Sequence, residues 1–567
     1  MIFRKKIWGV LLVTSICVNL VLASHDANAT TYQVGSAAEI NALPELLPGD
    51  VVIMKNGVWT NQTVIFKGEG TESNPIVLKA ETPGQVVLTG SSTLSIAGDY
   101  LQVESLKFLY GTVAGNVIEF RRGSLLANHC RLTNTTIKDY SPTDKNTDSK
   151  WISLYGTYNR VDHCSLSGKT NLGTTLVVWM DETPDYHLID HNYFGYRPEL
   201  GQNGGETIRI GTSQWVEYAS NTVFEYNLFN ECDGEVEIIS NKSVGNIYRY
   251  NTFKDCDGTL TLRHGSYCRV YGNFFFGDPS KSSGGVRIIG EGHEVYNNYF
   301  EGLNGTSYRA AISLVNGIPD SPVSGYYQVK KAKIGFNTII DCKQPFAIGA
   351  GASDSRTLPP TETLIANNLI KARSGYTVIE DYDETNGITW HGNVADGEEL
   401  GINTTEGFKL ASISMEESDG LYRPTPESVV IGNASTVWPE ITDDIDGQPR
   451  PANSRDVGCD QLAAGSILNY PLTKDEVGAD YDSVTTGQVS RKITEEEVKV
   501  LSTPVGIRFV FPDSAQRKLS LWGINGAKIS QFEITGNEFT INRFSTNKII
   551  IVQVQEVATA YSLKVIL

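Results

Sequence analysis

Five side chains between Asn203 and Arg263 have the types and spacing to do chemistry. Glu235 and Glu237 flank Val236, so in a strand both carboxylates leave one face. Lys242 follows closely in the same segment. Arg263 stands further on and Asn203 further back, each at an interval within the roughly 20 to 50 residues of a structural repeat. Two carboxylates and an amide oxygen are hard donors, suited to Ca²⁺ and not to zinc. An ion held by them can bind the carboxylate of a uronic acid, which makes the proton on the adjacent carbon removable. A lysine whose pKa is lowered by a nearby cation can take that proton. Arginine stays charged, so it can stabilise the enolate-like intermediate or deliver a hydrogen bond to the leaving oxygen. The reaction of such a set is β-elimination, which leaves an unsaturated sugar end and consumes no water. The same residues also make an ordinary charge ladder on a solvated face, worth little per pair. Hydrolysis by clustered aspartates is a third reading, with Asp233, Asp255 and Asp257 available. Two of these flank Cys-Asp-Gly bends, where turn formation is the plainer role.

The intervals converge on one patch only if they are turns of a coil, and a matching period is present. The pattern N-x-(F/I) recurs at Asn192, Asn227, Asn251, Asn273, Asn298, Asn337 and Asn368. HCRL at Cys130 and HCSL at Cys164 read as earlier turns with cysteine in the asparagine position. The shortest intervals give a base period of roughly 22 to 25 residues, and the longer ones carry loops, as in a solenoid whose repeats share a core. Each turn holds several β-rich segments broken by Gly and Asn and leaves no room for a helix. That excludes leucine-rich and helical repeats, and a β-propeller blade needs roughly 40 residues or more. The expected fold is all-β, a right-handed parallel β-helix. Asparagine at the recurrent bend is expected to take left-handed geometry and to stack its amide on the turn above. On this coil Lys242 and Arg263 become neighbours one turn apart, and Arg287, a further period beyond Arg263, extends the line.

The rest of the chain sets the context. Residues 1–29 read as an export signal: Arg4, Lys5 and Lys6, then an apolar run, then Ala27-Asn28-Ala29 as a cleavage site. A membrane anchor is the alternative, but the run is short, contains Asn19 and lacks a following charge cluster. No second long apolar run follows, so no integral membrane span is expected once the signal is removed. The formal charge of −18 argues against a nucleic-acid partner. It also requires that an acidic polymer be held by a local basic patch or an ion. Seven cysteines follow the leader, an odd number without C-x-x-C spacing, which points away from zinc. Buried free thiols are expected, with a Cys232–Cys256 disulfide as the alternative. The solenoid domain is expected to span 30–462, opening with short capping strands in Pro48 to Trp59 and Pro75 to Gly90. Glu39 to Leu47 is the best helix candidate. Residues 463–505 read as a polar linker, with Lys492 to Leu501 as a possible short helix, and 506–567 as a small antiparallel sandwich. LWGINGAKI and the final KVIL strand there resemble the C-terminal sorting domain of the Bacteroidetes type IX secretion pathway. A carbohydrate-binding module is the competing reading. The expected location is secreted, periplasmic or at the cell surface of a Gram-negative bacterium.

NGGETIRIG, the E-x-E-I-I-S-N-K-S block and the R-H-G triplet together resemble polysaccharide lyase family 6, which contains alginate lyases and chondroitinase B. The similarity runs from about Val34 to Leu462 and includes the opening PGD…NGxW and IVLKA strands. The resemblance implies a calcium-dependent lyase in which Asn203, Glu235 and Glu237 hold the ion. Lys242 is the implied Brønsted base and Arg263 the implied Brønsted acid. Arg209 and His264 fall in the same motifs and, with Arg287, are candidates for binding substrate. Glu206 and Thr207 stand where the chondroitinase B pattern has a glycine-rich GGGIRIG, which favours alginate over dermatan sulfate. Alginate carries no sulfate and needs fewer basic residues, which suits the acidic total. The long insertions Gly302 to Lys331 and Ala350 to Pro360, with Tyr308, Tyr326 and Tyr327, are where substrate preference is expected to be set. The rival from another class is a non-catalytic glycan-binding β-helix.

Overall fold

The structure is a computed structural model that describes residues 29–463, 465–481 and, between 499 and 566, the strands named below. The predicted signal, save Ala29, lies outside the described residues, as does most of the Lys492 to Leu501 stretch.

Alternation of apolar and polar residues every second position folds the chain into three parallel sheets of 14 strands each, and a parallel β-helix is the result. In the second sheet Ile118, Ile152, Leu176, Ile208, Ile239, Leu260 and Val286 pair in register and are fully buried. The phenylalanines of the N-x-F repeat do the same in the third sheet. Phe194, Phe229, Phe253, Phe275 and Phe300 stack with ring centroids 4.6–4.8 Å apart. That is the strand spacing itself, so the rings form one column through the core.

The repeated asparagines form a second column. From Asn192 to Asn368 each side-chain amide donates to the carbonyl oxygen of the next at 2.9–3.0 Å, and the row continues to Asn393. Burying these amides is tolerated because each is a donor and an acceptor in the row. The left-handed conformation, however, belongs to the residue before the asparagine: His191, Tyr226, Tyr250, Asn297, Phe336 and Asn367 have φ between 51° and 57°. The asparagine itself turns inward. Cys164 occupies the asparagine position, donating its amide to the Asn192 oxygen at 2.9 Å. Cys130 does not. It stands at the corner before the first sheet, where its amide donates to Asn159 Oδ1 at 2.9 Å. Both corners ask for a small buried residue after a left-handed one, so HCRL and HCSL look alike while serving different corners. All seven described cysteines are free and buried, and the Cys232 amide meets the Cys256 sulfur at 3.4 Å.

The expected helix is a single turn, Ala37–Asn41, capped by Ser36. The last coil strand is Phe408–Leu410, earlier than the expected end of the solenoid. From there the chain adds the antiparallel pair Met415–Ser418 and Leu421–Pro424 and packs Ile413, Leu421, Val430, Ile445 and Val457 on the outer face of the third sheet. The stretch read as a linker begins bound to the solenoid. Leu472 donates to Thr252 Oγ1 at 2.8 Å, Gly478 to the His191 carbonyl at 2.8 Å, and Ala479 to Ser165 Oγ at 2.9 Å. Tyr481 reaches the Leu106 carbonyl at 2.5 Å. Beyond it, Lys499–Thr503, Gly506–Val510 and Glu538–Asn542 form one antiparallel sheet; Gln516–Gly523, Lys528–Thr535, Ile549–Gln555 and Ala560–Ile566 form another. No helix among the described residues is long and apolar enough to cross a membrane.

One buried ion pair yields a stability prediction. Asp162 accepts from Arg131 at 2.7 and 2.5 Å, from Thr133 at 3.0 Å, and lies 2.8 Å from His163. Burial alone would raise its pKa, but the Arg131 and His163 bonds hold it well below the usual carboxylate range. Asp162→Asn is expected to cost about 3 kcal/mol in urea unfolding at neutral pH. Because the folded pKa is depressed, the unfolded state takes up the proton first on acidification. The contribution is complete above about pH 5 and is lost as pH falls through about 4 toward the folded value. An unchanged midpoint for Asp162→Asn would refute this account.

Candidate active site

The second sheet carries the chemistry on its outward face. Ile208–Ile210, Glu237–Lys242, Thr259–His264 and Val286–Ile288 are consecutive strands in it. Arg209, Ser240, Thr261 and Arg287 share one register row. A bulge between Asn241 and Lys242 shifts the next row, so Lys242 pairs with His264 and Arg263 is the extra residue. Buried Asn241 holds this bulge by donating to the His264 and Ser243 carbonyls at 2.7 and 2.9 Å.

Beside these strands lies a cleft of about 990 Å³, lined among others by Asn203, Glu235, Glu237, Arg263 and Arg287. Five of the eight predicted site residues therefore meet in one hollow. Lys242, His264 and Arg209 stand on the adjoining part of the same sheet and are not in its lining. Glu235 is in the bend before the strand, so its place in the cleft comes from the turn and not from strand alternation. Two glycines make that turn possible. A Cβ on Gly205 would stand 2.3 Å from the Gly234 carbonyl oxygen, and one on Gly234 would stand 2.1 Å from that of Gly205. This close approach lets the Gly204 and Gly205 amides donate to Glu235 at 2.9 and 3.2 Å.

The acids are only partly compensated. Burial pushes the Glu235 carboxyl up to about 7, helped by the charges of Glu206 and Glu237 and opposed by the two amide donors. Glu206 is buried, and one of its oxygens has no hydrogen-bond partner. Arg263 and Arg287 approach Glu237 at 3.8 and 3.7 Å, ion pairs without close hydrogen bonds. Glu235, Glu237 and the Asn203 amide at one hollow, with Glu206 buried close enough to act on Glu235, are the donor chemistry of an oxygen-seeking divalent cation. Among the described residues the tightest acidic trio lies elsewhere: Asp444, Asp446 and Asp460 have oxygens within 4.8 Å of one another. There Arg423 neutralises Asp446 and Asp460 at 2.8 and 3.0 Å. Two of the three aspartates of the hydrolase reading face cations as well. Asp233 accepts from the Asp257 amide at 2.8 Å and pairs with Lys281 at 2.6 Å, while Arg309 meets Asp257 at 3.5 Å.

Lys242 is half-buried and makes no hydrogen bond or ion pair with a described residue. Arg263 is fixed on several sides. It donates to the Gly325 carbonyl at 2.6 Å and the Ser324 carbonyl at 3.1 Å, and lies 2.8 Å from His264 Nε2. Burial pulls its pKa below the usual arginine range. His264 is buried, and burial with the Arg263 charge lowers its pKa to about 4, so it is neutral at physiological pH. Its Nε2 lies 2.8 Å from Arg263 Nη1 and 3.0 Å from the Gly325 carbonyl oxygen, and its Nδ1 faces Ser213 Oγ at 3.5 Å.

The insertion loops close one side. Tyr326 is sandwiched between the guanidiniums of Arg263 and Arg356, each 4.1 Å from its ring centroid. Tyr308 covers Arg287 at 4.4 Å and bonds to Arg356. These rings pack on arginines of the site instead of standing free. Arg356 and fully buried Arg197 escaped the sequence reading, which used Glu206 for the choice of substrate and not for the ion site. Arg197 donates to Thr175 Oγ1 at 2.9 Å and to the Gly173 carbonyl at 2.8 Å beneath the acids. Glu206, in the same short motif as Asn203, had a visible signal for that role.

The comparisons place the coils in a known family. The chondroitinase B family model matches residues 34–433. A family 6 alginate lyase, AlyGC, is 36% identical over 84% of this chain and 60% of its own, with a TM-score of 0.71. The chain thus spans less than two thirds of that relative's length. A mannuronic acid specific family 6 lyase from the human gut microbiota is 31% identical over 68% of this chain and 92% of its own, with a TM-score of 0.62. No curated protein matches the chain. With a family model spanning the coils and relatives above 30% identity that share them, the chain belongs to polysaccharide lyase family 6.

Proposed function

We propose that this protein is an exported, calcium-dependent polysaccharide lyase that cleaves alginate by β-elimination. The observation that carries the reading is the meeting of Asn203, Glu235 and Glu237 with Arg263 and Arg287 in one cleft, beside unpaired Lys242 on the same sheet. Alginate is favoured because AlyGC and the gut enzyme are described as acting on alginate and mannuronic acid. The amino-terminal leader in the sequence supports export.

In this reading Asn203, Glu235 and Glu237 hold the ion, with buried Glu206 completing the negative charge around it. Bound calcium would neutralise the sugar carboxylate and so acidify the neighbouring C–H bond. Lys242 in its uncharged form takes that proton. The C–O bond to the next sugar then breaks as the C=C bond forms. Arg263 donates to the departing oxygen, and Arg287 and Arg209 hold the neighbouring carboxylates. Neutral His264 flanks Arg263, its Nε2 2.8 Å from Nη1.

The test is near-ultraviolet absorbance of the protein with alginate, with dermatan sulfate in parallel and a chelator control. A rise with alginate that chelation abolishes is expected. A rise with dermatan sulfate alone replaces the substrate, and a rise indifferent to chelation removes the ion. No rise with either polymer refutes the lyase and favours a glycan-binding β-helix.

A further inference from the structure

The face that holds Lys242 continues toward the amino-terminal coils as a column that the elimination step leaves unused. Two positions on from Ser153, Val177, Arg209 and Ser240, the register brings Tyr155, Trp179, Gly211 and Lys242 into line. The Trp179 amide donates to the Leu154 carbonyl and the Gly211 amide to that of Val178, both at 2.9 Å, so pairing persists there. Tyr155 and Trp179 stack with centroids 6.0 Å apart, and both are half-buried on the outside of the sheet.

Cations gather on these rings although the chain as a whole carries a charge of −18. Arg121 lies 3.9 Å from the Tyr155 centroid; Arg209 and Lys150 lie 5.3 and 5.9 Å from that of Trp179. Arg121 and Lys150 are paired with Glu119 and Asp148 at 2.5 and 2.6 Å. Arg209 forms no ion pair with a described residue, and its buried Nε lacks a hydrogen-bond partner. Gly211 supplies the remaining feature. Its φ is +72°, and a Cβ there would stand 2.7 Å from Met180 Sδ and 3.2 Å from the Lys242 carbonyl oxygen. Glycine therefore leaves a step without a side chain between the indole and the lysine. Coils are about 4.8 Å apart, close to the advance of one sugar along an extended polymer.

We propose that this column binds the sugars beyond the bond that is cut. An extended uronate chain runs along the coil axis, one sugar per coil, across Gly211 to Trp179 and Tyr155. Its carboxylates meet Arg209 first, then Lys150 and Arg121. The ligand class is an unbranched polyanion whose sugar faces and edges contact the rings. The proposal rests on the uronate-lyase reading and specifies how that site depends on chain length.

Trp179→Ala and Trp179→Phe are compared with the parent protein on long alginate and on an alginate trisaccharide, which is too short to cross the reacting position and reach Trp179, two coils away. Trp179→Ala is expected to lower kcat/KM on the long polymer about tenfold more than on the trisaccharide, and Trp179→Phe to recover most of that ratio. Equal losses on both lengths, or an unchanged ratio, overturn the strip and leave the lyase standing. Mobility in native gels containing alginate separates the two claims. Retardation that depends on Trp179, in a protein that forms no unsaturated ends, keeps the strip and refutes the lyase. Should melting curves show that Trp179→Ala is unfolded, Arg121→Gln at the half-exposed outer end is read by the same length ratio.

Discussion

Lys242→Ala is expected to lower alginate turnover about a thousandfold while the protein still binds the polymer. The size follows from the absence of a substitute. His264, its register partner, is neutral but buried, and its Nε2 is enclosed by the Arg263 guanidinium and the Gly325 carbonyl at 2.8 and 3.0 Å. Arg263 is protonated and has no lone pair with which to take a further proton. The glutamates sit in the cleft beyond, where the ion is proposed to engage them. Lys242→Arg should be as inactive, because a guanidinium does not give up its proton at neutral pH. Initial rates by near-ultraviolet absorbance, with native-gel retardation for binding, decide this. A rate within tenfold of the parent, or a parallel loss of rate and retention, would remove Lys242 from the role of base.

Glu237→Gln is the second large effect. At low calcium it should reduce activity about a hundredfold, and added calcium should restore part of the loss. Glutamine keeps the shape but removes the charge that Arg263 and Arg287 share at 3.8 and 3.7 Å. The variant therefore weakens the ion site and sets two guanidiniums against each other, so the rescue stays incomplete. A readout independent of turnover is the melting temperature. Calcium should raise it in the parent, through binding to the folded state alone, and raise it less in Glu237→Gln. Equal shifts in both proteins, or none in the parent, would defeat the ion assignment.

The sequence carried the coil because each repeat places the same residue type in the same column. Asparagine rows and phenylalanine stacks repeat in space as they repeat in the chain, so their spacing reads directly as architecture. The site was legible for the related reason that Glu237, Lys242 and Arg263 are on neighbouring strands of one sheet. Corners and returns were less so. HCRL and HCSL look like one motif, yet Cys130 and Cys164 serve different corners, since local sequence records a bend and not which sheet follows it. The bulge that puts His264 beside Lys242 depends on Asn241 bonding inside the coil, which a period count does not contain. Tyr326 reaches Arg263 only through a loop far downstream, whose Gly325 accepts from Arg263 across a separation of 62. Long-range contacts of that kind leave no periodic trace.

The returning segment along the third sheet has a consequence for the order of assembly. A solenoid can grow coil by coil as the chain is made, since each coil needs only the one before it. Here Asn469 meets Tyr226 across 243 residues, and Tyr481 meets Leu106 across 375. The last residues of the folded body thus cover coils that were finished first. Loop closure over such spans is slow, so those early coils wait with an uncovered flank until the later segment has been made. The protein is built from one end but sealed from the other.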